Sequence, residues 1–569
     1  MHDLVLRGGT VVDGSGGVPF VADVAIDGDR ITEVNRAVGV AATGRDEIDA
    51  AGMVVTPGFI DTHSHLDGNV TWEQRLAPSS GHGVTTTIMG NCGVGFAPCR
   101  PADRAFTVAL MEGIEDIPAS VLDQGLPWAW ESYPAYRDFL AGRRFDMNIT
   151  GLVPHSSLRL FVMGERAGNG EPANATERAM MTDLVAEAVR GGAAGVGSTR
   201  LLAQATLAGV PAPSRWADEA ELAAIADGMA QAGRGVFQVA PEFNRFPLAA
   251  QELAMLIRVG RSSGVPIVYS LKQSNNHPEG WQQLLELTAA ARDEGVDVRP
   301  QVLARPTGGI ITWECSFHRF VRSPTYRTVS HLPLAERVVA LARPEVRGAI
   351  LAETIELEAT KPSRMSQLPA LQFPLGDPPD YEPGPENSVA VLAEEQGCHT
   401  AELTYDLLMA DGGHGAILQA SGNYSDGDLE AARTMACFDG AVWGLGDAGA
   451  HSTIICDASA PTSMLTHWTR DRWRGPKMDL PFVVRRLTAE PAELFGLEAR
   501  GRVAAGWQAD LNVIDHDRLT LRRPRMVYDL PGGGKRLVQD AEGYVATIVN
   551  GTVVARHDQP TGACSGQLV

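Results

Sequence analysis

Thr56-Pro57-Gly58-Phe59-Ile60-Asp61-Thr62-His63-Ser64-His65 is the stretch on which the fold turns. An apolar run ends abruptly in two histidines separated by one residue. Side chains alternate between faces along a strand, so His63 and His65 point the same way. Two imidazoles on one face at a strand's C-terminal end form half of a metal site wherever the strand opens into a pocket. The alternative is a pair of solvated loop histidines, and the flanking residues argue against it.

Those flanks carry a family likeness. Pro-Gly-Phe-Ile-Asp-Thr-His-Ser-His resembles the first barrel strand of the amidohydrolase superfamily. Leu66-Asp67-Gly68 with Trp72, Pro78 to Thr86 and Gly90-Asn91-Cys92-Gly93 are similar to the N-acyl-D-amino-acid deacylase branch. So are Glu112-Gly113-Ile114-Glu115-Asp116-Ile117-Pro118 and Trp128-Ala129-Trp130-Glu131-Ser132. The resemblance runs from about residue 1 to 160 and resumes from roughly 440 to 555.

Residues 4 to 55 read as short strands, among them Leu4-Val5-Leu6, Thr10-Val11-Val12, Ala22 to Ile26 and Arg30 to Val34, punctuated by Asp-Gly turns. The far end has the same texture: Ala509 to Asp515 alternates, and Val545 to Val554 reads as a hairpin about Asn550-Gly551. The expectation is a composite β domain, a small β-sandwich, from residues 1–55 and 500–569, an arrangement the resemblance also implies. Between the ends the rhythm is helix, glycine, strand. Thr182–Arg190, Asp218–Ala232, Gln251–Arg261 and Gly280–Glu294 each read as a helix stopping at glycine before a strand. Four such units indicate a parallel sheet with crossover helices, and with the His-x-His strand an α/β fold, a (β/α)8 TIM-like barrel over 56–499, fits best. From about Leu303 to Gly440 the rhythm is lost, and Pro362 to Pro385 is proline-rich without either period. This stretch is expected to be an irregular, lid-like excursion over the barrel mouth; a flexible linker is the alternative.

The chain has 569 residues, is 44% hydrophobic, and carries 69 acidic against 48 basic residues, a formal net charge of −21. That length and composition support a large core, and the acidic balance disfavours nucleic acid or an anionic membrane as partner. No apolar stretch reaches 18 residues, and Met1-His2-Asp3-Leu4 lacks a basic and an apolar leader region, so neither a membrane span nor a secretory signal is expected. Seven irregularly spaced cysteines argue against a disulfide framework. The expected setting is the cytoplasm, the expected partner a small-molecule substrate, and a homo-oligomer of undetermined order is expected.

His63 and His65 are the first candidate metal ligands. Asp447 is the next, in Val442-Trp443-Gly444-Leu445-Gly446-Asp447-Ala448-Gly449-Ala450-His451, which reads as the last barrel strand and its loop. The resemblance implies that this aspartate binds metal and takes the proton from the attacking water, and a carboxylate beside an activated water can serve both roles. Gly444-x-Gly446-x-x-Gly449 also satisfies the dinucleotide fingerprint, but Ala450-His451-Ser452-Thr453 does not begin the apolar helix that fingerprint needs. Cys92 follows the strand-like Thr85–Met89. The matching cysteine of the deacylases binds or bridges metal, whereas a lone cysteine after a strand is otherwise a small buried apolar group.

The chain also departs from the branch. Where the deacylases place two further metal-binding histidines, it has Phe237-Gln238-Val239-Ala240-Pro241 and Val268-Tyr269-Ser270-Leu271-Lys272-Gln273. The resemblance then implies a site of His63, His65, Asp447 and Cys92, with one divalent metal favoured over two. Mixed nitrogen, oxygen and sulfur donors favour zinc, with nickel, manganese and iron left open. Lys272, if carboxylated, would be an anionic ligand, although it lies at the wrong strand for that role. Gln238 and Ser270 are expected to bind substrate or water. His155 ends another strand-like run and is read as substrate-facing or structural, Arg159 as a carboxylate anchor or a surface ion pair. His82 and His451 lie near the motifs without an assigned geometry. No Gly-x-Ser-x-Gly elbow and no phosphate loop is present. The resulting expectation is a metal-dependent amidohydrolase cleaving a C–N bond in an N-acyl amino acid or related small amide. Its rivals are a cyclic amide, imide or lactone hydrolase, an inactive barrel used for binding or assembly, and a dinucleotide enzyme.

Overall fold

Eight parallel strands follow one another around a curled sheet in chain order: Phe59–Asp61, Val84–Met89, Asn148–Pro154, Gly195–Thr199, Val236–Ala240, Ile267–Ser270, Val298–Val302 and Val442–Trp443. The computed structural model describes residues 1–37, 43–245, 248–362 and 367–569. The first and last strands meet beyond their ends, through a parallel bridge between Ser64 and Ala448 and a 2.7 Å bond from the His65 amide to the Ala448 carbonyl. Ile60, Ile88, Leu152, Val236, Val268 and Val442, from six of these strands, converge on Ala492 and Phe495 in one buried cluster. Side chains of strands so far apart in the order meet in this way inside a TIM-like barrel.

The four predicted units are present. Helices Ala175–Arg190, Glu219–Ala232, Leu248–Ser263 and Gly280–Asp293 precede the fourth to seventh strands. Asn174 and Asp218 cap the first two by accepting from the amides of Glu177 and Glu221, and glycines 191 and 233 end them. Their apolar faces join the large cluster outside the sheet, which includes Val185, Val189, Leu222, Ile225, Leu253, Leu256 and Leu284.

Both chain ends pair in a separate, mixed sheet of nine strands. Leu511–Ile514 lies antiparallel between Val54–Pro57 and Tyr544–Val549, and the predicted Asn550-Gly551 hairpin joins Tyr544–Val549 to Thr552–Arg556. Asn550 and Gly551 both take positive φ, 45° and 76°, as such a two-residue turn requires. The opening stretch is split between the two sheets: Val54–Pro57 belongs to the terminal sheet, Phe59–Asp61 to the barrel. Gly58 is the joint. Its amide donates to the Asp510 carbonyl at 2.8 Å, and a Cβ there would lie 2.0 Å from Oγ1 of Thr85.

The stretch after Leu303 is more regular than its lost rhythm suggests. Thr307–Ile311, Ile417–Gly422 and Gln372–Pro374 form a three-stranded antiparallel sheet with Ile417–Gly422 in the centre. Helices Leu334–Leu341, Pro344–Thr360 and Thr400–Gly413 pack beside it around Trp313, Phe320, Tyr326, Ile350 and Tyr405. In Pro344–Thr360 only Ile350, Leu351 and Thr354 are buried, a narrow stripe on a largely solvated helix. Of the proline-rich run 362–385, residues 363–366 lie outside the described residues. Among the described residues no helix is long and apolar enough to cross a membrane.

Candidate metal centre

The first barrel strand stops at Asp61, but the Ser64 bridge keeps the chain extended, and His63 and His65 face the same carboxylate. Nε2 of His63 lies 3.1 Å and Nε2 of His65 3.7 Å from Oδ1 of Asp447. Sγ of Cys92 lies 3.4 Å from Nε2 of His63, and ligand atoms of His63, His65 and Cys92 fall within 4.8 Å of one another. Both histidines are buried. Cys92, Leu445, Asp447 and His451 all hold positive φ, between 45° and 62°, a costly backbone state for side-chain-bearing residues that concentrates at functional sites.

Gln301, on the seventh strand, sets the face that His63 presents. Its amide nitrogen donates to the carbonyl and Oγ1 of Thr62 at 3.2 and 3.1 Å, and the Thr62 hydroxyl donates to the Trp443 carbonyl at 2.7 Å. The Gln301 oxygen is left to accept from Nδ1 of His63 at 2.8 Å. Nδ1 therefore donates to Gln301, and Nε2 is the ring nitrogen turned towards Cys92 and Asp447.

The electrostatics agree with a cation site. Burial works against a charged His63, but Cys92 and Asp447 outweigh it and raise the imidazole to about 10. His65 is also raised, against burial, by Glu115 and Asp447. The Asp447 carboxyl lies well below its usual range, since bonds from both histidines overcome its burial, and His63 likewise lowers the half-buried Cys92 thiol. These neighbours thus favour protons on the two imidazoles, and a divalent cation would take the place of those protons. This nitrogen, sulfur and oxygen donor set suits zinc.

The site opens into a cavity of about 520 Å³. Ser270, Lys272, Asp447 and His451 line it, as do Thr307, Phe317 and Gln419 from the excursion and the apolar Leu201, Phe243, Leu303 and Ile454. Gln238 is fully buried behind the wall: its oxygen accepts the Cys92 amide at 3.0 Å, and its nitrogen approaches Oγ of Ser270 at 3.4 Å. His155 and Arg159 are not brought to the cavity. His155 lies 2.8 Å from both Ser198 and Glu221, and Arg159 binds Glu221 and the carbonyls of Pro213 and Glu171. His82 is buried between Thr462 and the Gln539 carbonyl. After Gly449 the chain turns without starting a long helix, as the dinucleotide reading would need.

Sequence reasoning missed two residues. Gln301 sits in the mixed strand Val298-Arg299-Pro300-Gln301-Val302, where no pattern singles it out. Glu115 lay within a quoted family stretch but had no assigned partner; it is buried, with a carboxylate oxygen 3.5 Å from Nδ1 of His65.

Residues 46–555 match the profile of the amidohydrolase family. The chain belongs to the amidohydrolase family. This amidohydrolase is 27% identical over 568 residues to the N-acyl-D-glutamate deacylase of Alcaligenes xylosoxydans xylosoxydans, covering 98% of this chain and 95% of that one. It is 31% identical to the D-aminoacylase of the same organism over 307 residues, 53% of this chain and 57% of the relative. A D-aminoacylase structure, solved for the functional role of its binuclear metal centre with one-metal activation and second-metal attenuation, superposes with TM-score 0.65 at 25% identity, covering 100% of this chain and 99% of that one. The amidohydrolase is thus a metal-dependent hydrolase acting on C–N bonds, similar in sequence to these deacylases.

Proposed function

We propose that this amidohydrolase hydrolyses the amide bond of an N-acyl amino acid, D-configured as in its named relatives, with one divalent cation, zinc by its donors. The observation that carries the reading is the convergence of His63, His65 and Cys92 on one point beside Asp447, at the floor of a cavity large enough for a small amide. A single cation is supported by the two strands on which the resemblance expects further histidines, where Gln238 and Ser270 are engaged with Cys92 and with each other. The activation of one- over two-metal forms described for the D-aminoacylase structure is compatible with that count.

When bound, the cation supplies Lewis-acid activation of water and of the amide carbonyl. His63, His65 and Cys92 would hold it, and Gln301, bonded to Nδ1 of His63, leaves Nε2 as the nitrogen that faces it. Asp447 removes the water's proton at its carboxylate and returns it to the leaving nitrogen. Lys272, on the cavity wall, binds the substrate's carboxylate, and the apolar residues of the lining receive the acyl group. The acidic chain and its seven free cysteines suit work on small molecules in a reducing cytoplasm.

The test is a panel of N-acyl-D- and N-acyl-L-amino acids beside cyclic amides, imides and lactones, with metal content measured on the same preparation. Release of free amino acid from linear substrates, with about one metal per chain, is expected. Turnover of cyclic substrates alone would overturn the substrate assignment, and a metal-free protein without zinc-restored activity would overturn the reading itself.

A further inference from the structure

Glu115 ends the helix Arg104–Glu115 and is 1% exposed. Among the described residues its ion-pair partners are two histidines: Oε1 lies 3.5 Å from Nδ1 of His65, and Oε2 lies 3.8 Å from Nε2 of His451. Glu115 Oε1 and His65 Nδ1 are also both buried without a hydrogen-bond partner. One is an acceptor and the other a donor once Nε2 faces the cluster, so the two orphans satisfy each other with a shift of well under an ångström. A buried carboxylate without such a partner is costly to keep.

The corner around Glu115 is braced. Its carbonyl accepts the His451 amide. The next residue, Asp116, accepts from Ser316 at 2.7 Å, Thr453 at 3.1 Å and, through its carbonyl, Ser452 at 2.9 Å. The helix end, and with it the backbone of Glu115, is therefore tied to the loop that carries Asp447 and to the excursion.

We propose that Glu115 is a positioning residue of the metal centre, which orients His65 through Nδ1 and links it, through its second oxygen, to His451 on the cavity wall. With Gln301 behind His63, each imidazole then has its own acceptor, one a neutral amide and the other a carboxylate. The carboxylate makes His65 the more basic ligand. The assignment rests on the metallohydrolase reading above.

The experiment is competition titration of zinc against a chromogenic chelator for the full-length parent, Glu115→Ala and Glu115→Gln, with visible spectra of the cobalt(II) forms and melting curves of the metal-free forms. Glu115→Ala is expected to weaken zinc binding about 10- to 100-fold and to change the cobalt spectrum. Glu115→Gln is expected to lose less, because an amide oxygen still accepts the Nδ1 hydrogen. The metal-free variants should melt no lower than the parent, which separates the effect from a general loss of fold. Parent-like zinc affinity and cobalt spectra in the variants would overturn the assignment; if Glu115→Ala does not fold, Glu115→Gln alone decides. A parent that takes up neither metal would instead overturn the metallohydrolase reading.

Discussion

The Gln301 side-chain oxygen accepts from Nδ1 of His63 at 2.8 Å, and its amide nitrogen is spent on Thr62, so the orientation of the glutamine sets which nitrogen the histidine presents to Cys92 and Asp447. A residue on the seventh strand thereby prepares a ligand delivered by the first.

Removing that acceptor should cost metal binding before it costs fold. Gln301→Leu is expected to weaken zinc affinity about 10- to 100-fold, the usual effect of losing an outer partner of a ligating histidine. Gln301→Glu, which keeps an acceptor, should retain more. Chelator competition at fixed pH checks both.

Asp447→Asn separates holding the metal from using it. His63, His65 and Cys92 remain in place, so bound metal should persist at a substantial fraction of the parent level. The amide cannot take a proton from water, and kcat should fall by about 10²- to 10⁴-fold. Metal analysis and steady-state kinetics on one preparation decide whether the two effects part in this way.

Lys272→Met should act on substrate binding. Charged hydrogen bonds contribute about 1.5–3 kcal/mol, so KM for N-acyl amino acids is expected to rise roughly tenfold or more. Amides that lack the carboxylate should change little. Equal losses on both kinds of substrate would contradict a carboxylate contact.

Stability should fall on mild acidification through His82. Burial pushes this imidazole down to about 4, the Gln539 carbonyl opposing and Arg305 adding to the push. The unfolded chain, with a histidine near 6.5, binds the extra proton between about pH 6.5 and 4. The contribution is therefore complete above pH 6.5 and lost as pH falls towards 4, roughly 3 kcal/mol in all. Urea unfolding across this window should show a shallower pH dependence for His82→Gln than for the parent.

Gly58→Ala tests the joint between the two sheets. The added methyl would lie 2.0 Å from Oγ1 of Thr85, and overpacking of this kind costs about 1–3 kcal/mol. The double variant with Thr85→Ala should recover part of the loss in chemical denaturation midpoint.

Much of this protein was legible in one dimension, because the relevant physics is local. The spacing of His63 and His65 places both on one side of an extended chain wherever that chain goes. Helices that stop at Gly191 and Gly233 before apolar strands carry their period and their stop signals within a few residues. The Asn550-Gly551 turn needs only two residues able to take positive φ.

Tertiary structure decided what depends on distance between strands. The glutamine at 301 becomes the partner of His63 only because the barrel closes the seventh strand against the first, 238 residues apart in the chain. Glu115, at the end of a helix between the second and third strands, meets His65 only in the fold, whereas His155, read as substrate-facing or structural, and Arg159, read as a carboxylate anchor or an ion pair, meet Glu221. The helices of the excursion show little period because they bury narrow stripes against one another. The sequence by itself determined which residues are able to bind a metal and in what local geometry. Only the closed barrel decided which polar side chains stand behind them, since a hydrogen bond forms between groups that meet in space and leaves no periodic trace along the chain.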